Sequence, residues 1–215
     1  MTEMLTAQEM RQLEAEAMAS GAVTGLELME RAGRGAAEVI RARAKDARHA
    51  VVLCGPGNNG GDGFVIARIL TEAGWNVHVF FMGAAEKLPP DAATNQARWK
   101  AMGDVQPYNA EALAALSLPE DAPLVVVDAL FGIGQRAPLD EVLAPALHWL
   151  DSLRQAPFVV AVDLPTGYDA DTGWTLAARP MPCDLAITFH ARKPIHGMDV
   201  MGGAETAIVD IGLAS

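Results

Sequence analysis

The amino-acid sequence predicts an α/β protein with a doubly wound, mostly parallel β-sheet preceded by two N-terminal helices. The first observation is a set of near-continuous apolar runs, among them LVVVD, FVVAVD and NVHVFF. Such runs are typical of strands that are buried on both faces of a parallel sheet. The second observation is that amphipathic stretches separate these runs, as they do when crossover helices join parallel strands. Because its 215 residues contain no linker or repeat, the chain is expected to form a single domain, 1–215.

Local patterns predict each element in turn. Residues 7–19 contain many good helix formers and no β-branched residue, and Thr24 is a suitable N-cap for a second helix over 24–45. Further helices are expected at 61–74, 88–102 and 139–154. Strands are expected at 50–54, 76–81, 105–108, 123–128, 158–163, 184–189 and 205–211.

Composition argues against several classes of partner. Sixteen basic and 27 acidic residues give a net charge of −11, which does not suit a protein that binds phosphate backbones or anionic membranes. No apolar run approaches the ~18 residues of a membrane span, and the N-terminus lacks an apolar signal core. We therefore expect a cytoplasmic protein without nucleic-acid or membrane partners. Cys54 and Cys183 have no metal-binding spacing, and two buried thiols are favoured over a disulfide.

The segment CGPGNNGGDG, residues 54–63, follows the first predicted strand. Gly55, Gly57 and Gly60 match the spacing G-x-G-x-x-G, and backbone N–H groups at such a helix start form an anion site. The alternative interpretation is a tight turn that requires positive φ. No Gly-Lys-Ser/Thr follows, which excludes a P-loop, and no acid ends the second strand, so the usual dehydrogenase pattern is absent. The segment also supplies side-chain oxygens, from Asn58, Asn59 and Asp62.

Two further carboxylates stand where apolar strands end. Asp128 follows three valines, and Asp163 follows the run VVAV. Each could cap a turn or the next helix, but two acids at the edge that also carries the glycine segment favour a functional site. Asp128, Asn59 and the Thr166 hydroxyl could bind a hard cation, whereas the oxygen-only set argues against zinc. Asp163 is the candidate for proton transfer, and its pKa would need to rise by burial for it to act as an acid near neutral pH.

Other residues at this edge are less specific. A second glycine-containing loop, 132–136, carries Arg136 and could contact phosphates from the other side. His190, Lys193 and His196 follow the strand at 184–189; Lys193 either contacts the site or is a solvated loop lysine. His78 and His148 are interpreted as structural, since they lie inside a predicted strand and helix.

Four motifs after the opening LMERAG together resemble one family: GPGNNGGDG, VVDALFGIG, AVDLPTG and AITFHARKP. In this order they are similar to the NAD(P)H-hydrate epimerases, also called the YjeF N-terminal domain family, over about residues 5–212. The resemblance implies a Rossmann-like three-layer α/β/α sandwich. It also implies an isomerase that interconverts the R and S forms of hydrated NADH or NADPH (NAD(P)HX) at C6 of the nicotinamide ring.

The resemblance further implies partners and site residues. A separate dehydratase would repair the S form, and the epimerase would be a homodimer. Family members in bacteria are often fused to that dehydratase, for which this chain shows no second catalytic region. Asp163 would be catalytic, and one K⁺ per subunit would be bound by Asn59, Asp128 and Thr166, the last standing where the family usually has serine. Substrate contacts would be Asn58, Asn59, Gly60, Gly61, Asp62, Gly132, Ile133, Gly134, Gln135, Arg136, Ala137, Pro138 and Asp163.

Competing interpretations remain open at this point. The same fold could serve as a non-catalytic nucleotide-binding or scaffold module, but such a module would not need Asn58, Asp62, Asp128 and Asp163 together. A kinase-like or phosphoribosyl enzyme is disfavoured because a phosphate-loop lysine is missing. For the epimerase, departure and return of the C6 hydroxyl or opening of the ring would both erase the configuration at C6.

Overall fold

The computed structural model describes residues 4–119, 121–136 and 138–213, and its core is a seven-stranded, all-parallel sheet. The strand order is β3-β2-β1-β4-β5-β6-β7, so the predicted parallel α/β fold is confirmed. The strands are β1 His49–Cys54, β2 Asn76–Phe81, β3 Val105–Pro107, β4 Leu124–Ala129, β5 Phe158–Val162, β6 Leu185–Phe189 and β7 Glu205–Val209.

Helices cover both faces of this sheet. The α-helices are α1 Ala7–Ala19, α2 Gly25–Arg43, α3 Asn58–Glu72, α4 Pro90–Lys100, α5 Ala110–Ala114 and α6 Asp140–Ser152. Successive strand residues point to opposite faces. Val52 and Cys54 pack with α2, α3 and α4, whereas Val51 and Leu53 pack with α5 and α6. The result is the three-layer sandwich that the resemblance implies.

Several predicted boundaries differ from the structure by a few residues, and one helix was not predicted. Helix α3 begins at Asn58, not at 61, so most of the glycine segment is the first turn of a helix. Glycine disfavours helix, and here tertiary packing overrides that preference. The short helix α5 was not predicted, and β7 ends at Val209 where strand was expected to 211. Thr24 is the N-cap of α2, as expected. Both cysteines are free thiols, but only Cys54 is buried as expected, whereas Cys183 is partly exposed. None of the helices in the described ranges combines the length and apolar character that a bilayer span requires.

The strand order places a crevice at the carboxyl ends of β1 and β4. These strands are neighbours, but the chain leaves β1 toward β2 on one side and leaves β4 toward β5 on the other. In open α/β sheets, ligands bind at such a switch point because the two connections diverge there. The glycine segment and the loop after β4 both lie at this point.

Close backbone approach explains the glycines of this segment. A Cβ on Gly55 would lie 1.7 Å from the carbonyl oxygen of Leu130, and one on Gly60 would lie 2.0 Å from the carbonyl oxygen of Gly55. None of Gly55, Gly57 or Gly60 has positive φ, so the alternative of a turn that demands it is wrong. The missing side chains let α3 begin directly against the ends of β1 and β4.

Gly60→Ala should therefore destabilise the protein. The new Cβ would meet backbone, which cannot move aside without shifting α3, and overpacking of this kind costs about 1–3 kcal/mol. Gly57→Ala is the matched control, because a Cβ there would meet nothing within 4 Å. Urea denaturation should show a loss for Gly60→Ala well above that for Gly57→Ala. Equal losses would contradict the packing explanation.

Candidate active site

Three turns meet at the carboxyl edge of the sheet. Asn59 comes from the first turn of α3, Gly132 from the loop after β4, and Asp163 from the loop after β5. A Cβ on Gly132 would lie 3.0 Å from Asn59 Oδ1 and 3.2 Å from Asp163 Oδ2. The sequence prediction that these turns converge at one edge is therefore correct. Gly132 has to be small because the two polar side chains close over it.

Asp128 and Thr166 form a buried hydrogen-bonded pair beside this point. The Thr166 hydroxyl donates to Asp128 Oδ1 at 2.7 Å, and the Thr166 backbone N–H donates to Oδ2 at 2.8 Å. Both residues have no exposed surface. Burial raises the pKa of Asp128 to about 6, against the lowering effect of the hydrogen bonds from Thr166 and Leu130. Within the described ranges, no basic side chain pairs with this carboxylate.

The arrangement fits a cation. A buried carboxylate without a counter-charge is costly, and a bound cation would balance it. The Thr166 hydroxyl and the Asn59 amide add neutral oxygens, which hard cations prefer. The amide nitrogen of Asn59 is buried and has no partner among the described residues, so the protein itself does not fix this amide. In the described part of the chain, no group of three or more His, Cys, Asp or Glu side chains is arranged so that it could hold a metal ion.

Asp163 is a buried carboxylate on a strained backbone. It is 6% exposed and has φ of 69°, a left-handed conformation that Asp tolerates better than most residues. Lys193 Nζ lies 2.7 Å from its Oδ1, and the Thr188 hydroxyl donates to the same oxygen at 2.9 Å. Burial is the largest single influence and raises the pKa of Asp163, but the charge and hydrogen bond of Lys193, with smaller effects of His196 and the Thr188 hydroxyl, together bring the pKa below its ordinary value. Asp163 is therefore a carboxylate at neutral pH, and the raised pKa that a role as an acid would require is not found.

His196 ties Lys193 and Asp163 together through the backbone. Its Nδ1 accepts from the Lys193 N–H at 2.9 Å, which leaves the proton on Nε2, and Nε2 donates to the Asp163 carbonyl at 2.8 Å. Burial lowers the pKa of His196, so the ring is neutral at pH 7. Lys193 is 1% exposed, so the alternative of a solvated loop lysine is wrong. His78 lies in β2 and His148 in α6, as expected.

A second pair of carboxyl groups faces this region. Burial raises the pKa of Asp62 well above its ordinary value, and Asp163 and Glu14 raise it further. Burial also raises the pKa of Glu14, on α1. Both line a cavity of about 150 Å³ together with Asn58. Two carboxyl groups in one site with oppositely shifted pKa values, here raised for Asp62 and lowered for Asp163, are the pattern of an acid and a base.

The loop after β4 is only partly available to a ligand. The side chain of Gln135 is buried; its Oε1 accepts from the Gly167 N–H at 2.7 Å and its Nε2 donates to the Pro165 carbonyl at 3.4 Å. This side chain therefore supports the loop after β5. The carbonyl of Ile133 accepts from Arg11 at 2.7 Å. Three residues of this loop that belong to the predicted substrate set are exposed, and Ala137 lies outside the described residues. The exposed ones are Gly134, Arg136 and Pro138.

Sequence reasoning missed Thr188 and Glu14, and left Lys193 undecided. Thr188 is the polar residue of an otherwise apolar strand, Leu185–Phe189, and this pattern could have drawn attention to it. Glu14 lies among several acids of α1, and nothing local distinguishes it. A larger cavity of about 340 Å³ lies at the opposite edge, beside His49 and Leu124 at the strand starts. It contains none of the carboxylates discussed above, so we assign the site to the carboxyl edge.

Comparison with known proteins finds relatives along nearly the whole chain. A family model described as YjeF-related protein N-terminus matches residues 25–195. A protein of Rhodobacter capsulatus named NAD(P)H-hydrate epimerase is 46% identical, over 99% of this chain and 100% of that protein. A protein of Cereibacter sphaeroides with the same name is 45% identical, over 96% and 100%.

Two further relatives extend the comparison. The Escherichia coli protein named Bifunctional NAD(P)H-hydrate repair enzyme Nnr is 40% identical over 87% of this chain, which corresponds to 35% of that protein. The crystal structure of yeast ynu0 (YNL200c) superposes with a TM-score of 0.74 at 24% identity, covering 91% of this chain and 83% of the yeast chain. At that identity the likeness shows the fold alone. The model match and the identities to full-length relatives show that the chain belongs to the YjeF-related protein N-terminus family.

Proposed function

We propose that this protein is an NAD(P)H-hydrate epimerase, an isomerase that interconverts the R and S forms of hydrated NADH and NADPH at C6 of the nicotinamide ring. The two full-length relatives carry that name. The observation that carries the proposal is the carboxylate of Asp163, held through Oδ1 and presenting Oδ2 beside Asn59 and Gly132. A non-catalytic nucleotide-binding module of the same fold would not need a buried carboxylate that is kept ionised.

The start of α3 supports binding of a dinucleotide diphosphate. The first N–H groups of a helix have no partner within the helix and attract anions. Gly57, the N-cap residue, makes no side-chain cap, and the space beside its Cα is open. We infer that the residues from Asn58 to Asp62 contact the diphosphate of the substrate. The exposed Arg136 is a cation that could reach the phosphates from the loop after β4.

An ionised Asp163 suits the role of base in either of two routes. In ring opening, Asp163 takes the proton of the C6 hydroxyl and the C6–N1 bond breaks. The electron pair of the C6–N1 bond moves to N1, which is then protonated. The ring closes again when N1 adds to either face of the resulting aldehyde. In hydroxyl departure, a protonated acid such as Asp62 converts the leaving oxygen to water while N1 supplies the pair that forms C6=N1. Water then adds from either face and gives its proton to Asp163.

We also propose that one K⁺ per subunit binds to Asn59, Asp128 and Thr166. The uncompensated charge of Asp128 and the oxygen-only set support this proposal. When bound, K⁺ would supply a fixed positive charge beside the substrate. The chain's own residues would still bind the substrate and move the proton.

Three broader expectations stay predictions. The first is a cytoplasmic location. The second is a homodimer formed through the N-terminal helices. The third is a separate dehydratase that consumes the S form in the same repair pathway, in keeping with the relatives named bifunctional repair enzymes.

Asp163→Asn should abolish epimerase activity while the fold is retained. Asn tolerates the left-handed backbone at 163 but cannot accept the proton, and loss of a general base costs about 100-fold or more. Asp199→Asn, an exposed acid in Asp199–Met201, is the matched control. Conversion of the R to the S form of hydrated NADH should be followed by chromatography, with the spontaneous rate subtracted. Undiminished turnover would remove Asp163 from its role.

Potassium should stabilise the protein through Asp128. Replacing KCl by tetramethylammonium chloride at equal ionic strength should lower the melting temperature by a few degrees, about 1 kcal/mol for a domain of this size. Asp128→Asn keeps the side-chain shape, removes the charge, and should abolish the difference between the two salts. A persisting difference in this variant would place the cation elsewhere, and no difference in the unaltered protein would contradict the site.

A further inference from the structure

Lys193 lies in an unusual place for an ammonium group. The chain turns back sharply after β6: His190 has φ of 62°, and the Ala191 N–H donates to the Phe189 carbonyl at 2.7 Å. This reversal returns the side chain of Lys193 to the end of the strand that precedes it. The residue is 1% exposed, and lysine is almost never buried to this degree unless its charge is paired.

Three acceptors occupy the ammonium group completely. Nζ lies 2.7 Å from Asp163 Oδ1, 2.8 Å from the Thr188 hydroxyl and 3.2 Å from the Phe189 carbonyl. An ammonium group has three N–H donors, so none remains for a substrate. Lys193 therefore cannot act by touching the substrate, and any effect on the reaction has to pass through Asp163.

The contacts divide the two oxygens of Asp163 into different roles. Oδ1 receives Lys193 and Thr188, whereas no described residue donates a hydrogen bond to Oδ2. Oδ2 is the oxygen that faces Gly132, 3.2 Å from the position of a Cβ there. The contacts of Lys193 and Thr188 with Oδ1 oppose rotation of the carboxylate, and His196 holds the backbone carbonyl of the same residue. Its free oxygen is thus aimed into the site.

We propose that Lys193 is a positioning residue of this site: it anchors Oδ1 of Asp163 so that the group stays an anion with Oδ2 directed at the substrate. The direction of Oδ2 toward a substrate rests on the proposed epimerase function, whereas the anchoring of Oδ1 by Lys193 does not depend on that function. Thr188 assists by bonding to both members of the pair.

The other titratable groups around Asp163 do not replace Lys193. His196, on the following 3₁₀ turn, is neutral because burial lowers its pKa. Asp62 on α3 and Glu14 on α1 are carboxyl groups, so any charge they carry opposes ionisation of Asp163. Without Lys193, burial would dominate and would raise the pKa of Asp163. The acid limb of the activity profile would then move to higher pH.

Lys193→Met tests this directly, since it puts an unbranched side chain of similar size in place of the lysine and removes the charge. The acid limb of kcat/KM should move to higher pH, far enough that the loss relative to the unaltered enzyme is at least tenfold greater at pH 5.5 than at pH 8.5. Lys193→Arg should restore part of the original profile. Lys87→Met, at an exposed lysine, should change nothing. A loss that is equal at all pH values would mean that Lys193 is merely structural, and would overturn the proposal.

A second variant and a second readout keep the test independent of folding and of activity. Thr188→Val preserves shape and should shift the profile in the same direction by a smaller amount. In protein labelled with ¹³C at aspartate carboxyls, the Asp163 signal, assigned by its absence in Asp163→Asn, should titrate at higher pH in Thr188→Val than in the unaltered protein. An unchanged Asp163 titration would overturn the anchoring role. A shifted titration in a protein without epimerase activity would instead reject the proposed function and leave the anchoring intact.

Discussion

The site depends on backbone packed directly against backbone. Gly60 lies over the carbonyl of Gly55, and Gly55 lies over the carbonyl of Leu130, with no room for a side chain at either step. These contacts hold the first turn of α3 on the ends of β1 and β4, and they bring Asn59 beside Gly132. The glycines cost backbone entropy and helix propensity, yet any larger residue would separate the turns whose side chains form the site.

Within this packed edge, two aspartates acquire different chemistry from different neighbours. Asp128 is surrounded by neutral hydrogen-bond donors, and burial raises its pKa to about 6. Asp163 is equally enclosed, but the ammonium group of Lys193 keeps it charged. Asp128 therefore has no positive partner among the described residues, whereas Asp163 is paired with Lys193. The division follows from partners that are distant in sequence, not from the aspartates themselves.

Structure that depends on patterns within a few residues could be predicted from the sequence, whereas contacts between distant segments could not. The apolar runs gave the strands, and Thr24 gave the start of α2, because both signals are local. The convergence of the turns followed from parallel strands, whose carboxyl ends share an edge. The start of α3 was placed too late because packing outweighs the low helix propensity of glycine. The lowered pKa of Asp163 could not be predicted because Lys193, 30 residues later, reaches it only in the folded protein.

The left-handed backbone at Asp163 narrows what could ever occupy that position. At φ of 69°, β-branched and bulky residues are strained, whereas Asp, Asn, His and Gly are tolerated. Glutamate would keep the charge but fit the left-handed backbone less well. Its additional methylene would also move the carboxylate away from its position beside the Lys193 ammonium group. A protein engineer who wished to introduce a new reaction into this scaffold could therefore choose among only a few residue types at position 163.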